Sequence, residues 1–180
     1  GEGLPAPIDY RDEPYKWGEG FYTMDHERAR QKLKSSNLVL GNVKDTIKTF
    51  FSVYSPAPIG CIIFDLDLYS STKSALTIFR CQDEVILPRV ICIFDNIGSI
   101  EYVGERLAIT EFNQEYEFQK IGQNPKIVMN TEMTGNTIFE YHSFQHSDYD
   151  KKAELKKVTD LPIDWQYGWY HFNWLTLQTS

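Results

Sequence analysis

The hydrophobic positions of this chain fall into two kinds of pattern. The first is the unbroken apolar run that ends abruptly in acids: Gly60-Cys-Ile-Ile-Phe-Asp-Leu-Asp-Leu-Tyr69, and its echo Arg89-Val-Ile-Cys-Ile-Phe-Asp-Asn-Ile-Gly98. A run of β-branched and aromatic residues without polar alternation reads as a strand buried on both faces, the mark of a parallel sheet. Asp65 and Asp95 stand a strand-helix-strand length apart. Between them, Ser70-Ser-Thr-Lys-Ser-Ala-Leu-Thr-Ile-Phe-Arg80 opens on N-cap residue types and spaces Ala75, Leu76 and Phe79 as a helix does. Two parallel strands so joined bring Asp65, Asp67, Asp95 and Asn96 to the carboxyl edge of the sheet, where open α/β sheets bind ligands. One strand-end carboxylate can simply cap the next helix; four oxygen-bearing side chains on one edge point to a site.

The second pattern is amphipathic. Met24 to Lys34 predicts a helix with acids early and bases late, which suits the helix dipole, and His26 on it reads as solvent-facing. Lys44 to Tyr54 carries Ile47, Phe50, Phe51 and Tyr54 on one stripe, and Gly104 to Glu117 carries Leu107, Ala108, Phe112 and Tyr116. Asn37-Leu-Val-Leu-Gly41 predicts a short buried strand, and Ser55-Pro-Ala-Pro58 breaks the helix ahead of the first acid-tipped strand. A turn at Gly122-Gln-Asn-Pro125 precedes a strand at Lys126-Ile-Val-Met129. Thr134-Gly-Asn136 turns into a last strand, Thr137 to Phe144, so an antiparallel pair is expected at the far edge. Residues 1–20 read as a long loop. The opening Gly-Glu-Gly-Leu-Pro reads like the inside of a chain, so a fragment is expected. Residues 1–149 are expected to form an α/β domain. Residues 150–180 form an extension, first charged (Asp150 to Lys157) and then aromatic (Trp165 to Trp174), folded onto the domain or onto another subunit as a possible homo-oligomer contact.

Composition narrows the classes. The chain has 180 residues, with 42% hydrophobic and 14% aromatic, enough for one core. With 18 Lys and Arg against 25 Asp and Glu, and no basic stripe, nucleic acid is not an expected partner. No apolar run is long enough to cross a membrane and no signal-peptide pattern opens the chain, so no membrane partner is expected. Cys61, Cys81 and Cys92 lie in or beside the apolar elements without a CxxC pair, which reads as reduced cysteines in a cytoplasmic protein.

Carboxylates and an amide oxygen on rigid strand ends make a hard-oxygen site suited to Mg²⁺ or another divalent cation. Such an ion lowers the pKa of a bound hydroxyl, and Asp67 or a lysine such as Lys73 could take the proton. His142 and His146 are further base candidates, each read first as structural.

The residues Phe64-Asp-Leu-Asp-Leu-Tyr-Ser-Ser-Thr-Lys-Ser-Ala-Leu76 resemble the D-x-D-x-Y-x-S-T signature of macrocin O-methyltransferase-like enzymes, class I S-adenosylmethionine-dependent methyltransferases. Ile93-Phe-Asp-Asn96, Gly3-Leu-Pro5 and Leu40-Gly-Asn-Val43 resemble further segments of that family, in the same order. The resemblance covers residues 1 to about 144. It implies a Rossmann-like, mostly parallel sheet with helices on both faces and one antiparallel hairpin strand. It implies Asp65, Asp95 and Asn96 as metal ligands, with Asp67 near them, and Gly41, Asn42 and Asp65 beside S-adenosylmethionine. The acceptor would be a small hydroxylated molecule. The family's glycine-rich cofactor loop and ribose-binding acid, with the N-terminal strands, would lie before Gly1. Two other readings stand beside it. Ile62-Ile-Phe-Asp-Leu-Asp67 also fits the hhhDxD motif of haloacid-dehalogenase-type phosphatases, with Asp65 as nucleophile and Asp67 as acid/base, although Tyr69 stands where that family has Thr or Val. A non-catalytic binding or assembly module that keeps the fold is the third.

Overall fold

The computed structural model describes residues 2–33, 36–95, 97–98, 100–123 and 137–151, together with the backbone of 174–178. Its centre is the predicted pair of acid-tipped strands, β1 (Ile59–Asp65) and β2 (Ile86–Phe94). They pair parallel, with Cys61 opposite Ile91 and Phe64 opposite Phe94. β3 (Gln119–Gln123) and β4 (Thr137–Ser143) complete a sheet of order β3-β4-β2-β1. β4 runs antiparallel to both of its neighbours, so β3 points the same way as β1 and β2. A fifth strand, β5 (Trp174–Gln178), pairs parallel along the outer side of β1. The chain is therefore α/β with a mixed sheet.

Helices α2 (Val43–Tyr54), α3 (Tyr69–Ala75) and α4 (Gly104–Glu115) pack in a row, α2 on α3 and α3 on α4. The expectation of helices on both faces is not what the described residues show. α1 (His26–Lys32), capped by Asp25, buries no side chain. The one-sided row has a simple reason: β1, β2 and β3 advance in one direction across the sheet, and right-handed crossovers then put α3 and α4 on the same face. No helix among the described residues is long and apolar enough to cross a membrane.

Local chemistry accounts for several departures. The helix expected over 70–80 begins one residue earlier, with Leu68 in the N-cap position, and tightens to a 3-10 turn over Leu76–Arg80. There Ser74 and Thr77 hydroxyls bond to the carbonyls of Ser70 and Ser74, at 2.8 and 2.6 Å, competing with the regular ladder. Asn37–Gly41 forms no strand: Leu38 to Leu40 are only half-buried, and no ladder among the described residues takes them up. Strand propensity without a partner strand does not hold an extended segment in a sheet. The strand expected at Lys126–Met129 and the turn at Thr134–Asn136 lie outside the described residues. β3 lies earlier than that and runs straight through Gly122, which was read as a turn. Residues 152–173, with most of the charged and aromatic extension, also lie outside them.

The core is aromatic. Phe64 stacks on Phe94 at 4.6 Å between ring centroids, and Phe79 stacks on Tyr141 at 3.9 Å. Cys61 and Cys92 are buried free thiols and Cys81 is half-buried. His146 is buried. Its Nε2 lies 3.0 Å from the carbonyls of both Asp83 and Ile86, and its Nδ1 accepts from Asp148 N–H at 3.0 Å. These partners require the neutral tautomer with the proton on Nε2. His142 pairs with the Tyr149 hydroxyl at 2.9 Å. Both histidines thus tie down the turn after β4, as their structural reading expects.

The outer edge of β3 is closed by a side chain. The Asn113 amide accepts from Ile121 N–H and donates to Ile121 C=O, both at 2.8 Å, as a neighbouring strand would. Exposed edges invite pairing with other chains. Asn113→Ala is expected to remove two bonds worth about 1 kcal/mol each. It should also produce concentration-dependent self-association in light scattering, and a strictly monomeric variant would refute this role for Asn113.

Candidate functional site at the carboxyl edge of the sheet

The edge is built from the strand ends. Asp95 N–H donates to Phe64 C=O at 3.0 Å, which carries the β1–β2 pairing one residue past the end of β2. Asp65 and Asp95 therefore stand side by side on adjacent parallel strands, both half-buried. After Asp95, Arg106 of α4 reaches back to donate to the Gly98 carbonyl, holding the loop. Asn96 lies outside the described residues.

Asp67 is placed differently. Leu68 N–H donates to Leu66 C=O at 2.5 Å, and Asp67, between them, has φ 58°. This is a γ-turn of the rare positive-φ kind. A buried non-glycine residue held there stores about 1–3 kcal/mol, and such strain gathers at functional sites. The phosphatase reading would assign proton transfer to this same residue.

The turn is held from outside the motif. Leu68 has no side chain that can cap α3, and no side-chain cap bond is made there. Asp12, fully buried, does it instead: its carboxylate accepts from Ser70 N–H at 2.8 Å, Ser70 Oγ at 2.9 Å and Ile8 N–H at 2.8 Å. Next to it Arg11, paired with Asp9 at 2.7 Å, donates to the Tyr69 hydroxyl at 3.1 Å and lies over its ring. Sequence reasoning missed both residues. The signal available was indirect: a helix start whose N-cap is Leu needs a donor of oxygen from elsewhere.

Tyr69 donates to Glu111 of α4 at 2.7 Å, and Lys73 pairs with the same carboxylate oxygen. Burial pushes the Glu111 carboxyl up, but the bonds from Lys73 and Tyr69 together outweigh it and hold it below its ordinary value. The Glu111 bond raises Lys73 against the opposing pull of burial. A lysine so held is a charged ammonium at neutral pH, which makes it an ion-pair partner between α3 and α4 and a poor proton acceptor. The expectation of Lys73 as a base finds no support in its setting.

Gly41 and Asn42 are exposed at the start of α2. Gly41 has φ 128°, and Asn42 caps the helix by accepting from Lys44 N–H at 2.9 Å. The Asn42 backbone carbonyl accepts from Thr46 Oγ1 at 3.2 Å, so both groups serve the first turn of α2.

Two half-buried carboxylates on adjacent strand ends fit a cation that keeps several waters and takes one or two protein carboxylates, as Mg²⁺ does. Among the described residues no group of three or more His, Cys, Asp or Glu is gathered for a closed cage. For S-adenosylmethionine the fit is partial: Asp65 is on the edge, whereas the Asn42 oxygen is engaged in the cap. Two clefts lie elsewhere. One of about 70 Å³ lies between α3 and α4, and one of about 340 Å³ lies near Arg80, Tyr116 and Phe118, away from the three acids. The chain matches no protein-family model, no curated protein and no solved structure.

Proposed function

We propose that the carboxyl edge is the metal-assisted acceptor site of an S-adenosylmethionine-dependent O-methyltransferase acting on a small hydroxylated molecule. The observation that carries this reading is the pair Asp65 and Asp95, side by side on adjacent parallel strands, with Asp67 in a strained turn two residues on. The three parallel-pointing strands β1, β2 and β3, with β4 antiparallel among them, agree with the mostly parallel sheet and single antiparallel strand that the sequence resemblance implies. Asp65 and Asp95, with Asn96, would hold the divalent cation. That ion supplies Lewis acidity, lowering the pKa of the acceptor hydroxyl. Asp67 would take the proton, since Lys73 is committed to Glu111.

The test is calorimetric titration of S-adenosylhomocysteine and of Mg²⁺, separately and together, into the full-length protein, with any residues that precede Gly1, and into its Asp95→Ala variant. The expected result is cofactor binding to both proteins and loss of Mg²⁺ binding in the variant alone. Absence of cofactor binding under every condition would sink the methyltransferase reading. Mg²⁺ binding unchanged in the variant would remove Asp95 from the metal site.

A further inference from the structure

Residues 4–21 form a loop that closes on itself. Leu4 N–H donates to Phe21 C=O at 2.8 Å, and Gly20 N–H donates to Leu4 C=O at 2.9 Å. Gly3 makes the closure possible: at φ 91°, a Cβ there would lie 2.5 Å from Phe21 O. The loop has its own small core, in which Leu4 and Trp17 pack on Leu68, separate from the main cluster. It crosses both strand-to-helix turns of the carboxyl edge. Asp12 sits on the first turn of α3, and Glu13 Oε2 approaches the first residue of α4, 3.2 Å from where a Cβ on Gly104 would stand.

From this we infer that residues 4–21 are a strap over the carboxyl edge that opens as a unit while the sheet stays folded, and that Asp12 is its latch. Three features carry the inference. Among the buried residues described, the strap's Leu4 and Trp17 cluster with Leu68 and not with the main core, so its opening leaves the aromatic core intact. Its own core is imperfect, since Trp17 Nε1 is buried with no hydrogen-bond partner among the described residues. Its deepest polar attachment is one carboxylate making two of its three bonds to Ser70, so those bonds are made or lost together. Arg11 on Tyr69 is a half-buried second attachment that follows Asp12, its neighbour in the chain. Opening bares the turns that carry Asp67 and Gly104, and a molecule reaching the edge across those turns must wait for it.

The strap can be tested without any ligand. Amide hydrogen exchange and the initial rate of tryptic cleavage after Lys16 would be measured on wild type, Asp12→Ala and Ser70→Ala. Opening takes Leu4 and Trp17 off Leu68, which loosens the Leu4–Phe21 closure. Losing the latch is therefore expected to speed exchange at Leu4 and Gly20, and cleavage at Lys16, by about tenfold or more. Exchange at Ile62 and Cys92 should stay within about twofold of wild type. Ser70→Ala removes one of the three bonds and should give a smaller change of the same pattern, which keeps the test available if Asp12→Ala does not fold. Equal acceleration of strap and strand amides in the folded variants would overturn the inference, because Asp12 would then belong to the global core. So would an unchanged strap. Both outcomes are independent of whether the edge binds metal or cofactor.

Discussion

Phe64→Ala should lower the stability of the folded chain by about 3–5 kcal/mol. Phe64 is fully buried in β1, its ring parallel to that of Phe94 and within 6.4 Å of Phe79. Its strand lies between β2 and β5, so the space it vacates cannot be filled by one flexible neighbour. The loss combines the transfer of a large apolar ring with the void left in a close-packed interior. Total stabilities of single domains are about 5–15 kcal/mol, so this one change removes a large share. Urea unfolding followed by circular dichroism gives the number. Phe118→Ala, at a site 43% exposed, is the control and should shift the midpoint little. If the two variants cost the same, the stacked pair is not the core it looks to be.

Alkaline solution should destabilise the protein progressively as pH rises from about 9 towards 11. Burial pushes the Cys61 thiol up to about 11, from an ordinary 9.0, and the Tyr141 hydroxyl up to about 12. Burial also raises Cys92 well above its usual value. A raised folded-state pKa means that the native state holds its proton more tightly than the unfolded chain. The contribution of Cys61 is therefore complete below pH 9 and is lost as pH rises through about 11. At pH about 10.5 that loss is on the order of 2 kcal/mol for this thiol alone. Urea midpoints under reducing conditions at mildly and strongly alkaline pH would follow it. Cys61→Val, which cannot ionise, should flatten the decline by a similar amount. A decline of the same depth in that variant would assign the alkaline loss to other groups.

The candidate site was legible to the extent that it is local. Asp65 and Asp95 could be placed because strand ends follow from apolar runs, and a run of suitable length between them implies a crossover. The geometry at Asp67 was not legible. Nothing in Leu66-Asp-Leu68 asks for φ 58°, since Asp reaches that region less readily than Gly; packing around it imposes the turn. The setting of Lys73, one of the base candidates, was hidden for a related reason. Lys73 stands one turn into α3, close in sequence to the acids, but its partner Glu111 comes from α4 and takes its charge.

By itself, the chain determined that β1 and β2 would be parallel neighbours and that α2 and α4 would be amphipathic helices. These follow from short-range rules of apolar periodicity, turn residues and crossover length. The tertiary structure alone decided that Asn37–Gly41 would not be a strand, that Asn113 would close the edge of β3, and that Asp12 would cap a helix beginning at Tyr69. Each of these is a hydrogen-bonding need met by a residue far away in sequence, or left without a partner strand. Backbone donors and acceptors must be satisfied wherever they are buried, but which distant side chain satisfies them is settled only when the layers pack.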